Sequence, residues 1–238
     1  MKKIIFLIFV LFLYSCNNVT NKYKKIAKIS EASWICYMQN TNSFFVANDE
    51  WKVYEIDKLW KKLQEKNIWN YDFEGIVCDE KNNKIYLLLE DSWNLIKINS
   101  SNLEIVWDFL LDLDKKDRKK YFNKKSGAEW LAYTGEYFYI STQNKKNNLL
   151  KFKIKKDNKN LKLEKVFDLD YEDLSWMTFY ENNLYILSDK NDSIFKYDLE
   201  NEKIIETKKL SWASWEWIVF DEKWKIFLAD DDGAIFIY

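Results

Sequence analysis

The stretch EWIVFDEKWKIF, Glu216 to Phe227, is nearly a copy of EGIVCDEKNNKIY, Glu74 to Tyr86. Each copy holds an acidic residue, a slot filled by Trp or Gly, an apolar run, a polar turn and a second apolar run. Short apolar runs closed by turn residues read as strand, turn, strand. Three more segments follow the same order, two of them with Ser in place of the acid: SWICYMQNTNSFFVAND from Ser33, EWLAYTGEYFYISTQ from Glu129 and SWMTFYENNLYILSD from Ser175. The copies start at residues 33, 74, 129, 175 and 216, spaced 41, 55, 46 and 41 residues apart.

A third strand-like run follows each pair: KVYEID from Lys52, NLIKIN from Asn94, LLKFKI from Leu149, SIFKYD from Ser193 and AIFIY from Ala234. Most then continue into a fourth. A four-stranded unit of this length cannot bury both of its faces alone, so it stacks radially on its neighbours. The expectation is an all-β, five-bladed β-propeller of four-stranded antiparallel blades. The last copy stops at Tyr238 after its third strand, while KYKKIAKI, Lys22 to Ile29, stands as an orphan strand before the first copy. That N-terminal strand is expected to complete the last blade and close the ring. One propeller domain then covers residues 22–238.

The chain has 37 basic and 38 acidic residues and a formal charge of -1, so no global field recruits nucleic acid or a strongly acidic partner. A monomer is expected. Histidine is absent. This removes the commonest general base and zinc ligand and every Ser-His or Cys-His nucleophile. The longest spacing contains DKKDRKKYFNKKS, Asp114 to Ser126, with seven basic residues. It reads as a solvated loop, with a lipid-headgroup or polyanion contact as the alternative.

Residues 1–15 have the layout of an export signal: Lys2 and Lys3, an apolar run from Ile4 to Leu13, then Leu13-Tyr14-Ser15-Cys16. The run is too short to span a bilayer. The last four residues resemble a bacterial lipobox, which implies cleavage before Cys16 and a lipid on that cysteine. Residues 16–21 then form a tether. The protein is expected outside the cytoplasm, lipid-anchored to the cell membrane or outer membrane. Cys36 and Cys78 lie two and three residues after their slots, which by alternation sets them on opposite strand faces. Buried free thiols are expected.

Twelve Trp against four Gly inverts ordinary usage. Trp51, Trp93 and Trp224 stand at strand-to-strand turns, where hairpins favour Gly, Asn or Asp. Trp34, Trp130, Trp176 and Trp217 share a slot with Gly75 at the head of the innermost strand, where crowded backbones want a small residue. Trp60, Trp69, Trp212 and Trp215 also lie in turn-like contexts. Only Trp107, in LEIVWDF, sits where a strand welcomes an indole. A UGA codon that the cell reads as glycine and a conceptual translation prints as tryptophan would produce this pattern. The rival reading is a Trp-rich channel whose indoles stack on flat ligands such as sugars.

With glycine taken at those slots, the series Ser33-Trp34, Glu74-Gly75, Glu129-Trp130, Ser175-Trp176 and Glu216-Trp217 resembles the SdiA-regulated family of bacterial propellers, relatives of NHL-repeat and phytase-like propellers. The resemblance spans the chain from about Lys22 to Tyr238. It implies a five-bladed, often exported protein with a bound calcium ion and no established enzymatic activity.

The residues lead to a similar site. Symmetry brings Glu74, Glu129, Glu216, Ser33 and Ser175 toward one end of the channel, where converging carboxylates repel unless a cation neutralises them. Glu31, Asp72 and Asp173, each near a slot, add oxygen donors, as do Asp49, Asp91, Asp189 and Asp230 at the ends of second strands. The latter four also suit hairpin caps. An all-oxygen set suits calcium, and magnesium or manganese less well. Two function classes follow. One is a calcium-containing propeller that binds a small molecule or protein at the cell envelope. The alternative is a calcium-dependent hydrolase of a phosphoester, lactone or ester, with a metal-bound water as nucleophile.

Overall fold

The computed structural model describes residues 23–29, 32–48, 50–68, 71–89, 94–122, 127–142, 148–155, 159–169, 174–211, 215–230 and 233–238. The leader, Cys16 and the tether lie outside the described residues. So do Glu31, Asp49, Asp91, Asp173, Trp69, Trp93 and Trp212.

Strand β1 (Lys24–Lys28) precedes the first repeat, which supplies β2 (Ala32–Met38), β3 (Ser43–Asn48), β4 (Lys52–Asp57) and β5 (Lys62–Asn67). The second repeat gives β6 (Phe73–Asp79), β7 (Lys84–Leu89), β8 (Asn94–Asn99) and β9 (Ile105–Asp112), then helix α1 (Lys115–Tyr121). The third gives β10 (Ala128–Tyr133), β11 (Tyr137–Thr142), β12 (Asn148–Ile154) and β13 (Asn160–Asp168). The fourth gives β14 (Trp176–Tyr180), β15 (Asn183–Ser188), β16 (Ser193–Asp198) and β17 (Lys203–Lys209). Last come β18 (Trp215–Phe220), β19 (Ile226–Asp230) and β20 (Ala234–Ile237).

Hydrogen bonding joins these strands into four sheets among the described residues, where the repeats predict five. Three sheets have four strands: β2 to β5, β14 to β17, and β1-β20-β19-β18. The fourth has eight, because the outer strands β9 and β13 pair in parallel at Leu110 with Asn160, Leu111 with Leu161 and Asp112 with Lys162. These two strands are long, with eight and nine residues, and Leu110, Leu161 and Lys162 pair with their own inner neighbours on one side and with the other outer strand on the opposite side. Within the eight, β6 to β9 and β10 to β13 are each antiparallel. The N-terminal strand pairs with β20 as the sequence predicts, Lys24 opposite Ile237 and Lys28 opposite Ala234.

Burial falls from the inner to the outer strands, and this explains the strand sequences. Every residue of β3 is buried, because neighbouring sheets cover both of its faces. Outer β5 (KLQEKN) and β17 (KIIETKK) are mostly exposed and correspondingly charged. The inner strands touch in a closed cycle, β2 to β6 to β10 to β14 to β18 and back to β2. At Gly75 the approach is so close that an added Cβ would lie 2.7 Å from Leu131 Cβ and 3.1 Å from its backbone nitrogen. Only glycine fits there.

Trp51, Trp60 and Trp224 adopt φ of 63°, 65° and 62°. This left-handed region favours glycine. At the inner slots, Trp176 and Trp217 are fully buried and Trp34 stacks on Trp176 with ring centroids 5.1 Å apart. The sheets that carry these two rings are not neighbours in the cycle, so the stack crosses the central axis. The Trp34 indole donates to Phe73 O at 2.6 Å, and that of Trp217 to Ala32 O at 3.3 Å. The buried Nε1 atoms of Trp176 and Trp215 find no partner among the described residues. A buried donor left unpaired is destabilising.

Two expectations are corrected. Cys36 and Cys78 form a disulfide, with Cα atoms 5.7 Å apart, and are not free thiols. Opposite strand faces oppose pairing within one sheet. In radially stacked sheets, one face of β2 meets the other face of β6, so opposite faces bring the sulfurs together. The basic insertion is also more than a loop. Asp114 caps α1 by accepting from Asp117 N at 2.7 Å, Lys and Arg are good helix formers, and Tyr121 and Phe122 are buried beside Phe109, Leu111 and Leu113. No helix among the described residues is long and apolar enough to cross a membrane.

Candidate functional site

The predicted acidic ring occupies the starts of the inner strands. Ser33 on β2, Glu74 on β6 and Glu129 on β10 are half-buried, as is Ser175 just before β14, while Asp72 and Glu216 are exposed. No three acidic or thiol side chains among the described residues group closely enough to hold a metal ion. Asp189 accepts from Trp215 N at 3.3 Å, tying the end of β15 to the next inner strand.

A cavity of about 570 Å³ lies at the other ends of the same strands. None of the predicted ring residues lines it. Ile35, Ile76, Leu131 and Val219 form an apolar wall, joined by Trp176, Met177 and the Cys36–Cys78 disulfide. Tyr37, Tyr133 and Tyr180 rise at the rim, where the inner hairpin turns add Asp79, Glu80, Glu181 and Glu222. These rim residues were missed because they vary from repeat to repeat. Their shared place, the last strand residues and the first turn of each hairpin, was the available signal.

Each rim acid has a partner. Asp79 is buried, accepting from Asn82 N at 3.2 Å and Asn82 Nδ2 at 2.8 Å. Glu80 accepts from Gln39 N at 3.0 Å, across from β6 to β2. Glu181 accepts from Trp224 Nε1 at 3.1 Å. Glu222 is the most engaged: Lys58 Nζ lies 2.6 Å from both of its oxygens, and the Tyr37 hydroxyl donates to Oε2 at 2.5 Å. The Lys58 hydrogen bond, helped by Tyr37, holds the Glu222 carboxyl down at about 2. Burial and the Glu222 hydrogen bond push the Tyr37 phenol up to about 12. Burial foremost, with Asp79 nearby, also raises Tyr86 and Tyr133. The rim phenols therefore stay protonated at neutral pH. They can donate and accept hydrogen bonds but are poorly placed to abstract protons.

The arrangement suits recognition, with an apolar wall for the body of a ligand and a tyrosine and carboxylate rim for its polar groups. No protein-family model and no curated protein matches the sequence. Among solved structures, the chain is similar to glutaminyl cyclase of Myxococcus xanthus, with a TM-score of 0.68 and 10% identity over 91% of this chain and 93% of that one. It is also similar to the Cps50 (Swd1) β-propeller domain of Myceliophteria thermophila, with a TM-score of 0.51 and 9% identity over 91% and 99%. The fold is a β-propeller. At such low identity the likeness establishes the fold alone. The cavity is thus one mouth of the propeller's central channel, and the indoles at the inner slots plug that channel behind it.

Proposed function

We propose that this is a lipid-anchored, extracytoplasmic, five-bladed β-propeller that binds a small molecule or a partner's peptide segment in the channel-mouth cavity. The observation that carries this reading is the cavity with a disulfide in its wall. Its 570 Å³ falls in the usual range for ligand pockets. Disulfides persist in oxidising compartments, which agrees with the leader ending in Cys16. The closed cycle of five inner strands supports five blades, with the eight-stranded sheet counted as two blades fused at their outer strands. The likeness to the SdiA-regulated family remains part of the proposal.

Thr178 on β14 lines the cavity, so Thr178→Trp fills it. A ligand found by thermal-shift screening of the intact protein should lose its effect in T178W. Absence of any ligand in a broad metabolite and peptide screen, or undiminished binding to T178W, removes the reading.

Calcium is the narrower part of the proposal. No three acidic or thiol side chains group together among the described residues, and Glu31 and Asp173 lie outside them, so no step of the function is routed through an ion. Calorimetric titration with calcium decides the matter. A stoichiometric heat lost in the double variant Glu74→Gln, Glu129→Gln supports the predicted ring, and no heat in the parent dismisses it.

A further inference from the structure

Outer strands of this protein are mostly charged, but β9 is not. Ile105, Val106, Trp107 and Leu110 are 51%, 47%, 43% and 43% exposed, forming an apolar strip on the outer edge. Trp107 is also the single tryptophan in a position that suits an indole rather than a glycine. The strip runs directly into α1, which docks through Tyr121 and Phe122 against Phe109, Leu111 and Leu113 of the same strand end. The helix carries Lys115, Lys116, Arg118, Lys119 and Lys120 against one acid, Asp117.

The acids of this region are already engaged. Asp108 accepts from Asn94 Nδ2 at 3.0 Å, Asp112 pairs with Lys155, and Asp114 caps the helix. Lys115, Lys116 and Lys119 form no ion pair among the described residues. An exposed indole with aliphatic neighbours, bordered by unneutralised lysines, matches the interfacial layer of an anionic bilayer. Aromatic rings settle at headgroup depth, and lysines pair with lipid phosphates at the surface.

We infer that the outer edge formed by β9 and α1 is a membrane-docking face that seats the propeller on anionic phospholipid, independently of any lipid on Cys16. The strip enters the headgroup layer and α1 lies along the phosphates. A docked edge fixes the orientation of the propeller, which a flexible tether alone does not.

The test is sedimentation with vesicles of phosphatidylcholine alone or mixed with phosphatidylglycerol. The full chain is used unlipidated, so parent and variants share the same N-terminal background. Lys115→Gln, Lys116→Gln, Lys119→Gln together should weaken binding to the anionic vesicles by roughly a hundredfold, and added salt should erase that difference. Val106→Ser with Trp107→Ser should weaken it by about tenfold at any salt. Both variants are surface changes and should melt with the parent. If either variant sediments as the parent does, the inference is wrong. It is equally wrong if heparin competes with the vesicles for the parent while V106S/W107S binds them normally, since the face then reads a soluble polyanion.

Discussion

Among the described residues three indoles occupy left-handed backbone positions, and each carries a conformational cost of about 1 kcal/mol or more. Trp51 is also substantially exposed, so little burial offsets that cost, whereas Trp60 stacks on Phe44 and Trp224 packs edge-on against Tyr180 and donates to Glu181. Trp51→Gly should raise the urea unfolding free energy by about 1 kcal/mol, with smaller gains for Trp60→Gly and Trp224→Gly. Peptide masses of the native protein should show glycine at these three positions if its UGA codons are read that way. Glu222 gives a pH signature. Its carboxyl is lowered from 4.5 to about 2 in the folded protein, so its stabilising contribution is present above pH 4.5 and lost as pH falls toward about 2. Over that window the urea midpoint of the parent should fall more steeply than that of Glu222→Gln. Equal slopes would mean that Lys58 and Tyr37 do not hold the carboxylate in solution.

At the scale of elements, the disulfide between β2 and β6 closes a loop of 42 residues in the unfolded chain. Chain entropy gives such a link about 4 kcal/mol. Cys36→Ser with Cys78→Ser should lower stability by about that amount, and reductant should do the same to the parent but nothing further to the double variant. The hairpins were legible because burial dictates their residues: KVYEID, NLIKIN and SIFKYD became β4, β8 and β16 end to end. The disulfide was not legible, because alternation assigns a strand face but not which sheet covers it. The acidic slots marked the starts of the inner strands, while the cavity formed at their far ends from Tyr37, Tyr133, Tyr180 and Glu222. These residues share a place in the fold and no sequence motif, so only the closed ring brings them together. Helix α1 was hidden by its charge, which reads as solvated whether or not Tyr121 and Phe122 anchor it.

At the scale of the molecule, closure depends on joints of different kinds. β1 pairs with β20 and then leads into β2, and Lys58 and Tyr37 of the first repeat clasp Glu222 of the last. The disulfide ties β2 to β6, and the parallel pairing of β9 with β13 joins the second and third repeats in one sheet. The four-stranded sheet β14 to β17 meets its neighbours through side chains. Its described links are ring contacts such as Tyr139 with Phe179 and Tyr180 with Phe220, the surface pair Lys165 with Glu202, and single bonds from Asp189 and Glu181. Because Trp176 to Tyr180 belong to this sheet and wall the cavity, the shape offered to a ligand depends on how the sheet is seated against its neighbours.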